Sequence, residues 1–177
     1  MTSAPADFEL TMDELRAVAR YALESAEAVL PVFEAGNPED PRPRAAVDAA
    51  REFVNGARRT RLQRITALDA HRAARQAATE AEQLAARAAG DAAAAAYLHP
   101  LAKATQVGHI LRAAACAARV AELQADGDPA AGLDSIERAR LRAAPVVVDV
   151  LSRYPAAPFG RSRVARLMTV LDEGLRK

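Results

Sequence analysis

Apolar residues recur at three- and four-residue steps along most of this chain, the spacing of a buried helical stripe. Leu15, Val18, Ala22, Ala26, Val29 and Phe33 form the first stripe and predict a helix over about 12–35. Thr11-Met12-Asp13-Glu14 reads as its capping box, with Leu10 and Leu15 in hydrophobic-staple positions. Pro31 removes one helical donor, so a kink or early end is expected there, and Gly36-Asn37-Pro38 closes the element. Asp40-Pro41 opens a second helix with Ala46, Val47, Ala50, Phe53 and Val54 inward, ended by Gly56. A third helix is expected over about 58–78, with Leu62, Ile65 and Ala73 on one face and Arg61, Arg64, Arg72 and Arg75 on another. A fourth, about 79–97, is almost pure alanine with Leu84, capped by Thr79, and the pattern leaves open whether Gly90-Asp91 interrupts it.

His99-Pro100 ends that run, and Pro100 can open a fifth helix to about 125, the expected centre of the packing. Asp126-Gly127-Asp128-Pro129 is a turn. A sixth helix is expected from Asp134 to about 143 and a short seventh from Pro145, with Val146, Val147, Val150 and Leu151 apolar. After the rigid link Tyr154–Pro158, a last helix over about 161–175 carries Val164, Leu167, Met168, Leu171 and Leu175. Alternation of the strand type is confined to Val146–Val148, which is too short to count, and no internal repeat is present. The expectation is an all-α, single-domain irregular bundle of about seven or eight helices over residues 11–177, behind a tail at 1–10.

Composition changes this picture in one respect. Of 177 residues, 51% are hydrophobic but only 4% aromatic, with no Trp, and much of the apolar share is alanine. Alanine favours helix yet buries little area, so the core must rest on close approach of helix backbones. The net charge of +1, from 24 basic and 23 acidic residues, gives no global pull toward nucleic acid or anionic membrane. A single cysteine, Cys116, suits a reducing compartment. No signal-peptide pattern and no apolar run of membrane-spanning length occur, and the expected location is the cytoplasm. The heavy use of Ala and Arg resembles high-GC bacterial coding.

Candidate chemistry is concentrated at residues 97–109. On a helical wheel continued from Pro100, His99, Lys103, Gln106, His109 and Cys116 share an inward sector with Ile110, Ala113 and Ala117, while Arg112, Arg119 and Glu122 point away. Polar groups on an inward sector need partners or form the wall of a cleft. Lys103 would supply charge to an anion or partner pocket, with His99 and Gln106 orienting it. The alternative is a satisfied interhelical network, with Asp40 or Asp69 as the complement. Three histidines, His71, His99 and His109, raise the question of zinc, but their spacing is long and no metal or other cofactor is expected. Arg58, Arg59, Arg61 and Arg64 form a possible phosphate-binding patch. No aromatic residue interleaves with them in sequence, and Asp69, Glu80 and Glu82 are near enough to neutralise the stripe. Cys116 reads as a small core residue, and no glycine-rich phosphate loop, nucleophile elbow or ordered catalytic triad is present.

Two stretches carry a family resemblance. Asp40-Pro41-Arg42-Pro43-Arg44, leading through Ala45-Ala46-Val47-Asp48-Ala49-Ala50-Arg51-Glu52-Phe53, and Tyr97-Leu98-His99-Pro100-Leu101-Ala102-Lys103-Ala104-Thr105-Gln106-Val107-Gly108-His109-Ile110 resemble the Imm-5-like group of bacterial putative immunity proteins. The similarity runs from about Leu10 to Leu123. Members are often labelled SbcC-like exonuclease, a label that this chain, without a Walker-type loop, does not support. The resemblance implies a helical, non-enzymatic protein that binds and neutralises a cognate toxin. By position it points to Asp40, Arg42, Arg44, Arg51, His99, Lys103, Gln106 and His109 as candidate binding residues, with no catalytic residue. Neither a membrane nor nucleic acid is an expected partner, and the oligomeric state is open.

Overall fold

The computed structural model describes residues 8–177 as eight α-helices with no strand among them. They are α1 (Met12–Gly36), α2 (Arg42–Val54), α3 (Arg61–Gln76), α4 (Glu80–Ala94), α5 (Val107–Gln124), α6 (Pro129–Arg142), α7 (Pro145–Ser152) and α8 (Arg163–Leu175). Of the tail expected at 1–10, residues 1–7 lie outside the described residues. Phe8 to Leu10 are anchored: the Phe8 amide donates to Pro100 O at 3.3 Å, and its ring meets Tyr154 edge-on at 4.9 Å.

Local chemistry starts most of these helices. Thr11 Oγ1 accepts from the Glu14 amide, and Glu14 answers by accepting from the Thr11 amide. Thr60 and Gln63 repeat the reciprocal arrangement at α3, while Thr79, Asp128 and Ser162 cap α4, α6 and α8. At α2 the first helical residue is Arg42, and Asp40 Oδ1 accepts from its backbone amide. Gly56 closes this segment at φ +103°, a conformation a side chain would strain.

The centre of the bundle is α4, where the periodicity placed α5. Ala85, Ala86, Ala88, Ala89, Ala92 and Ala93 are all fully buried, and α4 packs against α1, α2, α3 and α5. With a methyl group at most positions, α4 admits neighbours on every side. Gly90-Asp91 does not interrupt it, and α1 runs through Pro31 to Gly36 without ending early. The inner faces read from α1, α2 and α8 are the buried ones. α5 joins this unit to the rest, packing on α1 and α4 and also on α6 and α8.

Four expectations are overturned. Pro100 does not start a helix: residues 101–103 are irregular, Ala104–Gln106 form one 3-10 turn, and α5 begins at Val107. α6 starts at Pro129 under the Asp128 cap, not at Asp134, because an acid followed by proline both caps and opens a helix. Leu62 and Ile65 are 42% and 51% exposed, so the inward face of α3 is Gln63, Thr66, Ala67, Ala70, Ala73 and Ala74 instead. Small residues there let α3 close on the alanines of α4. Gln63 is satisfied in burial by donating to Ala49 O at 3.1 Å, and Thr66 by donating to Leu62 O at 2.7 Å. Finally, Glu122 is 1% exposed, where the wheel had it pointing away.

Candidate functional site

All three histidines line one recess. His71 and Arg64 come from α3 with Ala67 and Leu68, Ala94 from the end of α4, Tyr97 and His99 from the turn that follows, and His109 from the first turn of α5. Its volume is about 430 Å³. His71 is also a wall of a second recess of about 300 Å³, with Ala74, Arg75, Gln83, Leu84 and Arg87.

Beside the His71 wall stands an ion pair whose carboxylate is fully buried. Asp91, fully buried on α4, accepts from Arg112 Nε at 2.8 Å and Arg112 Nη2 at 2.7 Å. A planar guanidinium facing a carboxylate in this two-point manner supports both charges away from water. The Asp91 pairing is why Arg112 turns toward α4 and not outward, and it raises the arginine's proton affinity further. His71 Nε2 stands 3.7 Å from Asp91 Oδ1. The His71 ring lies against the backbone of α4 at Gly90, where an added Cβ would come within 2.8 Å of Nε2. The dipeptide that looked like a helix interruption is thus the seat of the recess: glycine admits the imidazole, and aspartate supplies the buried anion.

Burial pushes the proton affinity of both His71 and His109 below the ordinary imidazole value of 6.5, with Asp91 only partly opposing it. Both rings are therefore neutral at neutral pH. His109 Nδ1 is buried with no hydrogen-bond partner among the described residues. Unfolding restores the ordinary imidazole value, so below it the unfolded chain binds more protons than the folded one. Stability is then fully present above 6.5 and declines as pH falls through the lowered folded values. The melting temperature is expected to drop between about pH 7 and pH 5, and a His71→Gln/His109→Gln variant to show a flatter profile. An identical profile in the variant would exclude these two rings as the source.

The residues singled out from sequence fall into four groups. His99 and His109 reach the recess. Gln106 does not line it but fixes the approach, accepting from the His99 amide at 3.0 Å, while His99 O accepts from the Tyr154 hydroxyl at 2.7 Å. Lys103 is exposed on the loop before α5 and does not line the recess, contrary to its expected inward place, because that segment is not helical. Asp40, Arg42, Arg44 and Arg51 are not brought to the recess. Arg42 pairs with Asp40 and donates to Gln76 Oε1 at 2.7 Å, joining α2 to α3. Arg44 pairs with Glu34, and Arg51 with Glu27 and Asp48, joining α2 to α1. The complement of the histidines is Asp91, not the anticipated Asp40 or Asp69.

The arginine patch beside the recess also differs from expectation. Tyr97, brought in from the turn after α4, interleaves where the sequence showed no aromatic. Arg64 lies over its ring at 4.2 Å and Arg59 at 5.1 Å, and its hydroxyl donates to Thr60 O at 2.6 Å. The acids expected to neutralise the stripe are engaged elsewhere. Glu80 pairs with Arg119, and Glu82 accepts from Asn37 Nδ2 and from the Ala78 amide. Only Asp69 remains, paired with Arg72. Arg58, Arg59, Arg61, Arg64, Arg75 and Arg87 have no carboxylate within 4.0 Å among the described residues. Between them, Leu62, Ile65 and Leu68 stand 42%, 51% and 58% exposed on the outer side of α3.

Among the described residues, no group of His, Cys, Asp and Glu is arranged to hold a metal ion, and no helix is long and apolar enough to cross a membrane. Cys116 is buried, and burial pushes its thiol up to about 12, far from a reactive thiolate. Comparison with curated proteins and with solved structures gave no match. A family model does match residues 9–144, which span α1 to α6 and include the recess, Asp91 and the whole of α3. On that match the chain belongs to the family described as Imm-5 like putative immunity protein.

Proposed function

We propose that this chain is a non-enzymatic cytoplasmic immunity protein that neutralises a cognate toxin by covering it, and that the outer face of α3 makes the contact. One observation carries the choice of face: an aliphatic row, Leu62, Ile65 and Leu68, lies in the open among arginines that have no internal counter-charge. On α1 and α2, Arg16, Arg42, Arg44 and Arg51 are matched to carboxylates, and Arg20 is the one arginine of those two helices without such a partner among the described residues. Apolar centres rimmed by arginine are characteristic of protein interfaces, and the charge calls for an acidic partner surface. Nucleic acid is the less suitable occupant. Phosphates would use the arginines but leave the aliphatic row without a role.

The test is co-expression with the product of the neighbouring gene, scored as growth and as a pull-down. The chain should restore growth and bind that product. The Arg61→Glu/Ile65→Asp variant, altered at two exposed positions, should stay folded and bind about 100-fold more weakly. Failure of the unaltered chain to bind or protect rejects the immunity reading. Unchanged binding by the variant rejects the face. A shift of labelled DNA at physiological ionic strength, lost in Arg61→Ala/Arg64→Ala, would install nucleic acid in its place.

A further inference from the structure

We propose that the three-histidine recess is a binding site for a carboxylate carried on a short apolar stem. Three features of the recess select that chemistry. Its walls include Ala67, Leu68 and Ala94, which suit an apolar stem. Arg64 at its rim is a permanent cation with no carboxylate partner among the described residues, held over the Tyr97 ring. The rings of His71, His99 and His109 line it, and an imidazole N–H can donate to an anion. An anion beside His71 and His109 stabilises their charged forms.

Asp91 lies 3.7 Å from His71 and is already paired with Arg112, so it does not compete for Arg64. A metal ion is unsuited, since the three rings are not arranged as a ligand set. Besides Asp91, the charged and titratable groups acting on the two rings are Arg75 on α3, Arg87 on α4, Arg112 on α5 and His99 on the turn. The arginines keep their charge throughout, so the groups whose charge responds are His71 and His109. Carboxylate binding should therefore take up protons and strengthen as pH falls toward the lowered imidazole values.

The carboxylate has two sources, a free small acid or a glutamate side chain of a bound protein, and soluble probes separate them. Butyrate is titrated into the full-length protein while the carbon-bound ring protons of the histidines are followed by NMR, with butyramide as the uncharged match. Saturable shifts of the His71 and His109 signals are expected with butyrate, tighter at lower pH, and absent with butyramide. Arg64→Ala, an exposed change that leaves the fold intact, should weaken butyrate about tenfold. A capped peptide with one glutamate between leucines, compared with its glutamine counterpart, supplies the second arm. Tighter binding of the glutamate peptide than of butyrate assigns the site to a protein side chain, and the reverse assigns it to a free acid. No saturable shift with either carboxylate, or equal binding by butyramide and the glutamine peptide, overturns the proposal. No toxin enters this experiment, so its outcome is independent of the immunity reading.

Discussion

Asp91→Ala is expected to cost about 3 kcal/mol of folding stability, the lower end of what breaking a buried ion pair costs, since Arg112 is partly exposed. Asp91 is fully buried and, among the described residues, is the only carboxylate paired with Arg112, which is itself 26% exposed. Its removal takes away the counter-charge and both hydrogen bonds of the contact between α5 and α4, and the freed guanidinium keeps only part of its surface in water. Urea unfolding followed by far-UV circular dichroism measures the loss, and a change under about 1 kcal/mol would show that water or another group replaces the carboxylate. The paired replacement Asp91→Leu/Arg112→Met should recover much of the stability, because two apolar groups remove the uncompensated charge. It should not restore the surroundings of His71, which would lose the carboxylate 3.7 Å from its Nε2.

Glu122→Ala is expected to cost about 2–3 kcal/mol. Glu122 is 1% exposed at the far end of α5 and accepts from Arg163 Nε at 2.9 Å and Arg119 Nη1 at 3.0 Å, tying α8 to α5. Those arginines hold its carboxyl below the usual range, Arg163 contributing most. The loss is of the same order as at Asp91, because Arg119 and Arg163 are 21% and 33% exposed, as Arg112 is 26%, and can be partly solvated once freed. Glu122 also lies against Gly132, where any side chain would collide with the carboxylate, so α6 is part of the same joint. Equilibrium unfolding again gives the magnitude. The lowered carboxyl makes this contribution present above the ordinary glutamate value of 4.5 and lost as pH falls below it. A variant as stable as the parent at neutral pH would show that the α5–α8 joint holds by apolar packing alone.

Much of the architecture was legible residue by residue. Thr11 with Glu14, Thr79, and the Leu15-to-Phe33 and Val164-to-Leu175 stripes mark helices whose ends and faces are set within a few neighbouring residues. The site was legible only in part. His99, His109 and Gln106 were in view as an unusual polar group, but their complement was not. Asp91 drew notice only as part of a possible helix interruption, because nothing local distinguishes a buried aspartate from a solvated one. Tyr97 met Arg59 and Arg64 from residues 33 to 38 positions away, and no sequence window of helical length contains both sides of that contact. The clue that was available is Gly90: a glycine inside a helical alanine run often marks a close approach, and here the approaching group is His71.

α3 shows most clearly where one-dimensional reasoning stops. Its wheel offers two candidate inner faces, one of large aliphatics and one of small residues with two amides or hydroxyls. On hydrophobicity alone the face with Leu62 and Ile65 should be inside. The neighbour decides otherwise: α4 presents methyl groups at close range, so only Ala67, Ala70, Ala73 and Ala74 fit, while Gln63 and Thr66 find acceptors in Ala49 and Leu62. Periodicity and capping, both local, were therefore sufficient for the number and limits of most helices and for the all-α class. Which helix lies at the centre, which way α3 turns, and which carboxylate answers which arginine depend on the shape and charge of a partner distant in the chain. Those features belong to the packed bundle, because close packing and charge neutralisation are properties of pairs of surfaces and not of either sequence segment taken singly.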